Sequence, residues 1–114
     1  MISRKNDMPQ DIREQMRGGE GSACLTKLFP TLPAHMRLFS IITLEPGSSI
    51  GYHVHENETE LFYFIEGVAE CRDDDETVIL HAGDALATFS GHGHSVKSIG
   101  DTALRIAAVI TTND

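Results

Sequence analysis

The sequence predicts an all-β domain, an antiparallel sandwich or barrel of eight or nine strands, preceded by a short helix. Three observations predict it: the apolar runs are short, they recur at near-regular spacing, and Gly, Pro or Asp bounds each run. At 114 residues the chain is long enough for one domain with a core and too short for two. We therefore divide it into an N-terminal segment, residues 1–22, and a single β domain, residues 23–114.

The N-terminal segment has the start and stop signals of one short helix. Asp7 can cap it, Pro9 suits its first turn, and Gly18 ends it. An apolar stripe at i, i+4 and i+8 is formed by Met8, Ile12 and Met16. We expect this stripe to cover the domain or a partner subunit.

Nine segments of the β domain are predicted as strands. They are Ala23–Phe29, Arg37–Leu44, Ser49–His55, Leu61–Glu66, Ala69–Asp73, Thr77–His81, Asp84–Ser90, His94–Ile99 and Leu104–Thr111. The acidic run Asp73–Glu76 is predicted as a solvated hairpin tip between two of them.

Charge and composition exclude several classes of partner. The net charge of −8 argues against nucleic acids and anionic membranes, which need a basic surface. No apolar run approaches the ~18 residues of a membrane-spanning helix, and the N-terminus lacks the apolar core of a signal peptide. Cys24 and Cys71 have no CxxC spacing, so we expect two free thiols in a cytoplasmic protein.

The most informative stretch runs from Gly47 to Gly67. His53 and His55 are two residues apart on a predicted strand, so their imidazoles point to the same face. A polar turn around Asn57 would then return the chain and bring Glu60, on the next strand, back toward both histidines. Three nitrogen and oxygen ligands on one side of a sheet indicate a metal site.

A fourth ligand is predicted downstream, where a short apolar run from Gly83 ends in a Gly-rich turn followed by His94. With it, the two segments resemble the paired motifs of the cupin superfamily. The first reads Gly47, five residues, His53-x-His55, four residues, Glu60, six residues, Gly67. It matches at every position.

The second cupin motif matches at Gly83, Gly91 and His94. It departs at Phe89, where the family usually has proline, and at Ser98, where it usually has asparagine. These departures affect a turn and a polar contact, and no ligand. The resemblance implies a double-stranded β-helix, or jelly roll, with one divalent metal ion per subunit on His53, His55, Glu60 and His94.

Other polar residues of these segments are interpreted as structural. Glu56 and Glu58 fall inside the predicted turn and are discounted as metal ligands. His35 and His81 are taken as surface residues. His92 is a loop residue or a proton donor beside the metal, and its role stays open.

Strand polarity predicts a mostly apolar ligand-binding pocket walled by Phe62, Phe64, Phe89 and Val96, with Tyr52 or Tyr63 as a rim donor. Basic residues are scattered over different strands, so we expect a small, weakly polar ligand that chelates the metal. The catalytic residues, if there are any, are not identified.

The outer face of the Leu61–Glu66 strand is also apolar. If Glu60 faces inward, then Leu61, Tyr63 and Ile65 face outward, and that surface is too apolar to leave in water. Small cupins are commonly dimers, and we predict a homodimer.

Three functions follow from this site. The first is a mononuclear metalloenzyme, dioxygenase-like or isomerase-like, acting on a small chelating molecule. The second is a metal-dependent module that binds or senses a small ligand without turnover. The third is a scaffold whose metal is purely structural. The ligand set does not select among Fe, Mn, Ni and Zn, because mixed N/O sites bind all of them.

Overall fold

The computed structural model describes residues 1–113, whose regular elements are strands and two 3-10 turns. The strands are β1 (Gln10–Glu14), β2 (Ser22–Lys27), β3 (Met36–Leu44), β4 (Ser49–Val54), β5 (Glu58–Glu66), β6 (Val68–Asp73), β7 (Glu76–His81), β8 (Ala85–Thr88), β9 (Gly93–Ser98) and β10 (Leu104–Thr112). The 3-10 turns are η1 (Lys5–Asp7) and η2 (Met16–Gly18).

The strands form two antiparallel sheets. The larger has the order β1-β2-β3-β10-β5-β8, and the smaller has the order β4-β9-β6-β7. The nine predicted strands all form, each within three residues of its predicted bounds. The all-β prediction is therefore confirmed.

The predicted N-terminal helix is wrong. Residues 10–14 instead form β1, an edge strand that pairs antiparallel with β2 in the register Gln10↔Thr26 to Glu14↔Ser22. A helix of about ten residues is marginal in water unless packing supports it, because its first turn is costly to form. The free edge of β2 offers a ladder of backbone hydrogen bonds to the same residues. Ile12, from the predicted apolar stripe, is 57% exposed on β1.

Side chains alternate along β5 as the pattern predicts. Glu60, Phe62 and Phe64 point between the sheets and are buried. In the same way Ile106, Ala108 and Ile110 of β10 are buried against them. The space between the sheets thus holds the apolar core, and it also receives one buried carboxylate.

Two sequence-level expectations on the thiols and on membranes can be compared with this fold. Cys24 and Cys71 are both free thiols, and burial raises the pKa of Cys71 to about 12. Within residues 1–113, no helix has the length and apolar character needed to span a bilayer.

The outer face of β5 is exposed, as its polarity predicts. Leu61, Tyr63 and Ile65 are 43%, 53% and 38% exposed. A surface of this kind is typical of a contact with another protein chain. The homodimer through this face stays a prediction, as does the division of the chain at residues 22 and 23.

We expect the protein to elute as a dimer at micromolar concentration, because pairing two copies removes these side chains from water. Replacing Tyr63 with Lys should shift it toward the monomer. Size-exclusion chromatography with light scattering measures both masses. A wild-type mass near the 12.5 kDa of one chain would contradict the dimer.

Candidate metal centre

The two sheets bring together the four residues that the sequence singles out. His53 of β4 and His94 of β9 are register partners in the smaller sheet. Glu60 lies on β5 of the larger sheet, and His55 lies just after the end of β4. Asn57 completes the predicted turn with a φ of 59°, a left-handed conformation that asparagine tolerates well.

The side chains of this cluster face one another. His55 Nε2 lies 3.1 Å from His94 Nε2. Glu60 Oε1 lies 3.2 Å from His55 Nε2 and 3.1 Å from His94 Nε2. The ring of His53 lies 4.8 Å from each of the other two imidazoles, centroid to centroid. One ligand atom from each of the four residues fits within 4.8 Å of all the others.

The donor chemistry of the cluster fits a cation. His55, Glu60 and His94 are 3%, 5% and 1% exposed, so water reaches little of them. When both rings are neutral and carry their proton on Nδ1, the two Nε2 atoms and the carboxylate oxygen are all acceptors, and acceptors at this distance need a shared proton or a metal ion between them. Three His and one Glu suit divalent Zn, Fe, Mn or Ni.

Each histidine is oriented by a bond from its other ring nitrogen. His53 Nδ1 donates to the Gly51 carbonyl at 2.8 Å, and His94 Nδ1 shares a hydrogen bond of 2.7 Å with Thr88 Oγ1. His55 Nδ1 donates to Glu58 Oε2 at 2.9 Å. With Nδ1 protonated, the lone pair of each neutral ring is on Nε2. Such outer bonds fix the tautomer and orientation of metal-binding histidines.

The cluster shifts the pKa of its own members. Burial on its own would raise the pKa of Glu60, but hydrogen bonds from His55 and His94 outweigh it and lower the pKa to about 2. The same bond to Glu60 raises the pKa of His55, against the opposing effect of burial. Burial lowers the pKa of His53, and the neighbouring charge of Arg17 acts in the same direction.

Glu58, which is discounted as a metal ligand on its position in the sequence, instead hydrogen-bonds the candidate ligand His55. Besides accepting from His55, it forms a two-pronged ion pair with Arg37: Nε donates to Oε1 at 3.1 Å and Nη2 to Oε2 at 2.7 Å. Burial would raise the pKa of Glu58, but the bonds from Arg37 and His55 lower it. The side chain is therefore held ionised behind His55.

A cavity of about 220 Å³ opens directly onto all four cluster residues. Phe62 and Val96 line it as predicted, and the Phe62 ring stacks on His94 at 5.0 Å. Phe64 and Phe89, also predicted as wall residues, are not among the residues that line this cavity. Phe64 is fully buried deeper in the core, and Phe89 is 61% exposed because it follows the inward-facing Thr88 and so points outward.

The mouth of the cavity carries a feature that the sequence analysis missed. Four of the nine Lys and Arg residues line it: Arg13, Arg17, Lys27 and Arg37. We call these four residues the cationic rim. Within residues 1–113, Glu60 is the sole acidic residue that lines the cavity. The expectation of a weakly polar ligand did not include these charges, and it stays a prediction that the lining does not test.

No local pattern of residues indicates the cationic rim, because its members come from four separate elements, β1, η2, β2 and β3. Arg13 and Arg17 belong to the segment that was predicted to be helical. Only the pairing of β1 with β2 and the packing of η2 on β4 place them beside the histidines.

Other residues discussed from the sequence lie outside the cavity. His92 pairs with Asp74 on the surface, and Glu56 is exposed. The guanidinium carbon of Arg72 lies 3.9 Å from the centroid of the Tyr52 ring, over its face. Tyr63 lies on the outer face of β5. The described lining includes neither tyrosine as a rim donor.

Two facing antiparallel sheets with a buried His3Glu cluster between them define a metal-binding double-stranded β-helix. The Cupin domain family matches residues 40–110, more than half of the chain. The chain therefore belongs to the cupin family.

Several relatives resemble this chain over most of its length. The oxalate-binding protein of Thermotoga maritima is 37% identical over 112 residues, which cover 96% of this chain and 93% of that protein. A crystal structure of a predicted oxalate decarboxylase from Thermotoga maritima has a TM-score of 0.90 at 35% identity, covering 98% of this chain and 99% of the other. The tetracenomycin polyketide synthase protein TcmJ of Streptomyces glaucescens is 30% identical over 95 residues, 83% of this chain and 62% of that protein.

We expect Glu58→Gln to weaken metal binding about tenfold or more, because it removes the negative charge that orients and polarises His55. Titration of the metal-free protein with Zn²⁺ against a chromophoric chelator measures this change. Glu56→Gln, at an exposed acid in the same turn, is the matched control. An unchanged affinity in Glu58→Gln would contradict the role of Glu58.

Metal affinity should fall as the pH drops through neutrality. In the metal-free protein the pKa of His55 is raised, so its ring keeps a proton beside Glu60 up to a higher pH than a free imidazole does. A cation must displace that proton, so affinity should fall by about tenfold per pH unit below this pKa. Chelator competition between about pH 5.5 and 8 follows this dependence. Equal affinity across the range would contradict it.

Proposed function

We propose that this cupin binds a small chelating carboxylate anion, of the chemical class of oxalate, at a divalent metal held by His53, His55, Glu60 and His94. The observation that carries the proposal is the lining of the cavity, which places the cationic rim around one entrance to the cluster. The oxalate-binding protein of Thermotoga maritima, similar over 96% of this chain, supports the same class of ligand.

The chemistry of binding follows from charge. A divalent ion on three neutral imidazoles and one carboxylate keeps a net positive charge, and it would act there as a Lewis acid toward anionic oxygen atoms. The cationic rim adds to the attraction. Apolar walls formed by Ile42, Ile50, Phe62 and Val96 exclude water and strengthen these electrostatic interactions. The cavity is smaller than the range of about 300–1,000 Å³ typical of drug-sized ligands, so it suits a small anion.

The enzyme hypothesis, dioxygenase-like or isomerase-like, remains the second candidate. It is favoured by the direct opening of the cavity onto all four cluster residues, since a purely structural metal site is normally closed. Apart from these four, the ionisable groups of the described lining are cations. General acid–base catalysis would therefore have to use Lys27 or the ligands themselves.

Replacing His53 with Ala separates binding from a structural role for the metal. His53 is half-buried, and its ring makes a single hydrogen bond, to Gly51. We expect the variant to fold with a melting temperature within a few degrees of the metal-free wild type, to lose its metal, and to lose oxalate binding.

Metal analysis, thermal melting and isothermal titration with oxalate measure the three effects, with the exposed His81→Ala as the control. Unchanged oxalate affinity in His53→Ala would overturn the proposed binding mode. Oxygen uptake or product formation with a panel of small carboxylates, catechols and diketones would show that the protein also catalyses a reaction of its ligand. A variant that loses its fold along with the metal would instead favour the structural role.

A further inference from the structure

Two of the four residues of the cationic rim make no contact with an acidic side chain near the metal centre. Arg37 is held by Glu58, and Arg13 donates to Asp11 at 2.8 Å. Arg17 and Lys27 make no side-chain hydrogen bond or ion pair with any part of residues 1–113. Two positive charges therefore lie at the cavity mouth without an anionic partner, in a chain whose net charge is −8.

The backbone holds Arg17 at this position. Arg17 has a φ of 54° and Gln15 a φ of 48°, and such left-handed conformations of ordinary residues persist only where the surrounding structure imposes them. The turn that contains them is closed by Gln15 N donating to the Gly21 carbonyl at 2.8 Å. It packs so tightly on β4 that a Cβ atom on Gly51 would lie 2.0 Å from the Arg17 carbonyl oxygen.

The turn is also joined to the start of β4. Ser49 N donates to the Glu20 carbonyl at 2.8 Å, and Glu20 N donates to Ser49 Oγ at 2.9 Å. Since β4 carries His53, one short stretch of chain fixes the backbone of Arg17 relative to the metal centre, and its exposed side chain extends from there.

The space around the rim is longer than a two-carbon ligand requires. A second hollow of about 270 Å³ lies outside the first, along β1, β2 and β3. The two hollows share Arg13, Leu25, Lys27 and Leu38, so they adjoin one another. Arg17 lines the first, Lys27 lines both, and Arg13 in the second is paired with Asp11. Oxalate bound to the metal through its two adjacent carboxylates would leave Arg17 and Lys27 without an anionic partner.

We propose that the ligand is a two-ended anion: a chelating head, such as a 2-hydroxy acid, at the metal centre, and a second anionic group, carboxylate or phosphate, on Arg17 and Lys27. This inference rests on the proposed function, because the head is the part that the metal centre binds. Arg17 is then a specificity-determining residue, and it selects ligands by charge at the end remote from the metal.

Matched ligands test this inference on the Zn²⁺-loaded protein by isothermal titration. Malate and 2-hydroxybutyrate share a 2-hydroxy acid head and a four-carbon chain, and only malate carries a second carboxylate. 3-Phosphoglycerate has the same head with a phosphate at the other end. We expect an anionic tail to tighten binding about tenfold over 2-hydroxybutyrate, since a charge-assisted bond to a positioned cation contributes on that order. If malate gains more affinity over 2-hydroxybutyrate than 3-phosphoglycerate does, the tail group is a carboxylate, and in the opposite case it is a phosphate.

Arg17→Met keeps the aliphatic stem and removes the charge, so it should reduce the tail advantage to within about twofold, while 2-hydroxybutyrate should weaken only by the general attraction that the rim exerts on any anion. Arg17→Lys should retain most of the advantage. Arg105→Met, which removes the same charge outside the cavity, should leave it unchanged. Metal content, measured for each variant, shows that the centre is loaded.

The outcomes distinguish the two proposals. Equal affinity of wild type for malate, 3-phosphoglycerate and 2-hydroxybutyrate overturns the two-ended ligand alone. A tail advantage that survives in the double variant Arg17→Met with Lys27→Met overturns the assignment of these residues. Failure of oxalate and 2-hydroxybutyrate to bind at millimolar concentration overturns the proposed function, and the inference with it.

Discussion

The structure depends on one arrangement, in which His55 Nε2, His94 Nε2 and Glu60 Oε1 lie about 3.1–3.2 Å apart in a nearly dry space between two sheets. Such groups cost free energy when they are buried without a partner. The surrounding bonds through Thr88, Glu58 and the Gly51 carbonyl prevent the rings from turning away. The barrel therefore keeps a set of lone pairs directed at one point, which a divalent cation can satisfy.

Around this centre the protein separates its charges. The chain as a whole is strongly acidic, yet the mouth of the cavity is lined by four cations. A concave site of one sign with apolar walls concentrates small ligands of the opposite sign, while the net negative charge of the chain argues against nucleic acids and anionic membranes as partners. This separation favours a small soluble anion over a macromolecular polyanion as the ligand.

The N-terminal segment links the fold to this electrostatic pattern. As the edge strand β1 and the turn η2, it adds Arg13, Met16 and Arg17 to a cavity whose other members belong to the matched family domain, residues 40–110, or to β2 and β3. The charge at the mouth thus depends on a segment that lies outside the two metal-binding motifs.

The sequence by itself determined the strands and the four candidate ligands, because a period of two along each strand and the spacing of His53, His55 and Glu60 are local properties of the chain. It also determined the outward face of β5. The tertiary structure alone decided that residues 10–14 form a strand, because the free edge of β2 is absent from any local pattern. It likewise decided that Phe64 and Phe89 lie outside the cavity, that Glu58 supports His55, and that four cations from separate elements meet at the mouth. Convergence of residues distant in sequence is set by sheet pairing and packing, which a linear pattern does not encode.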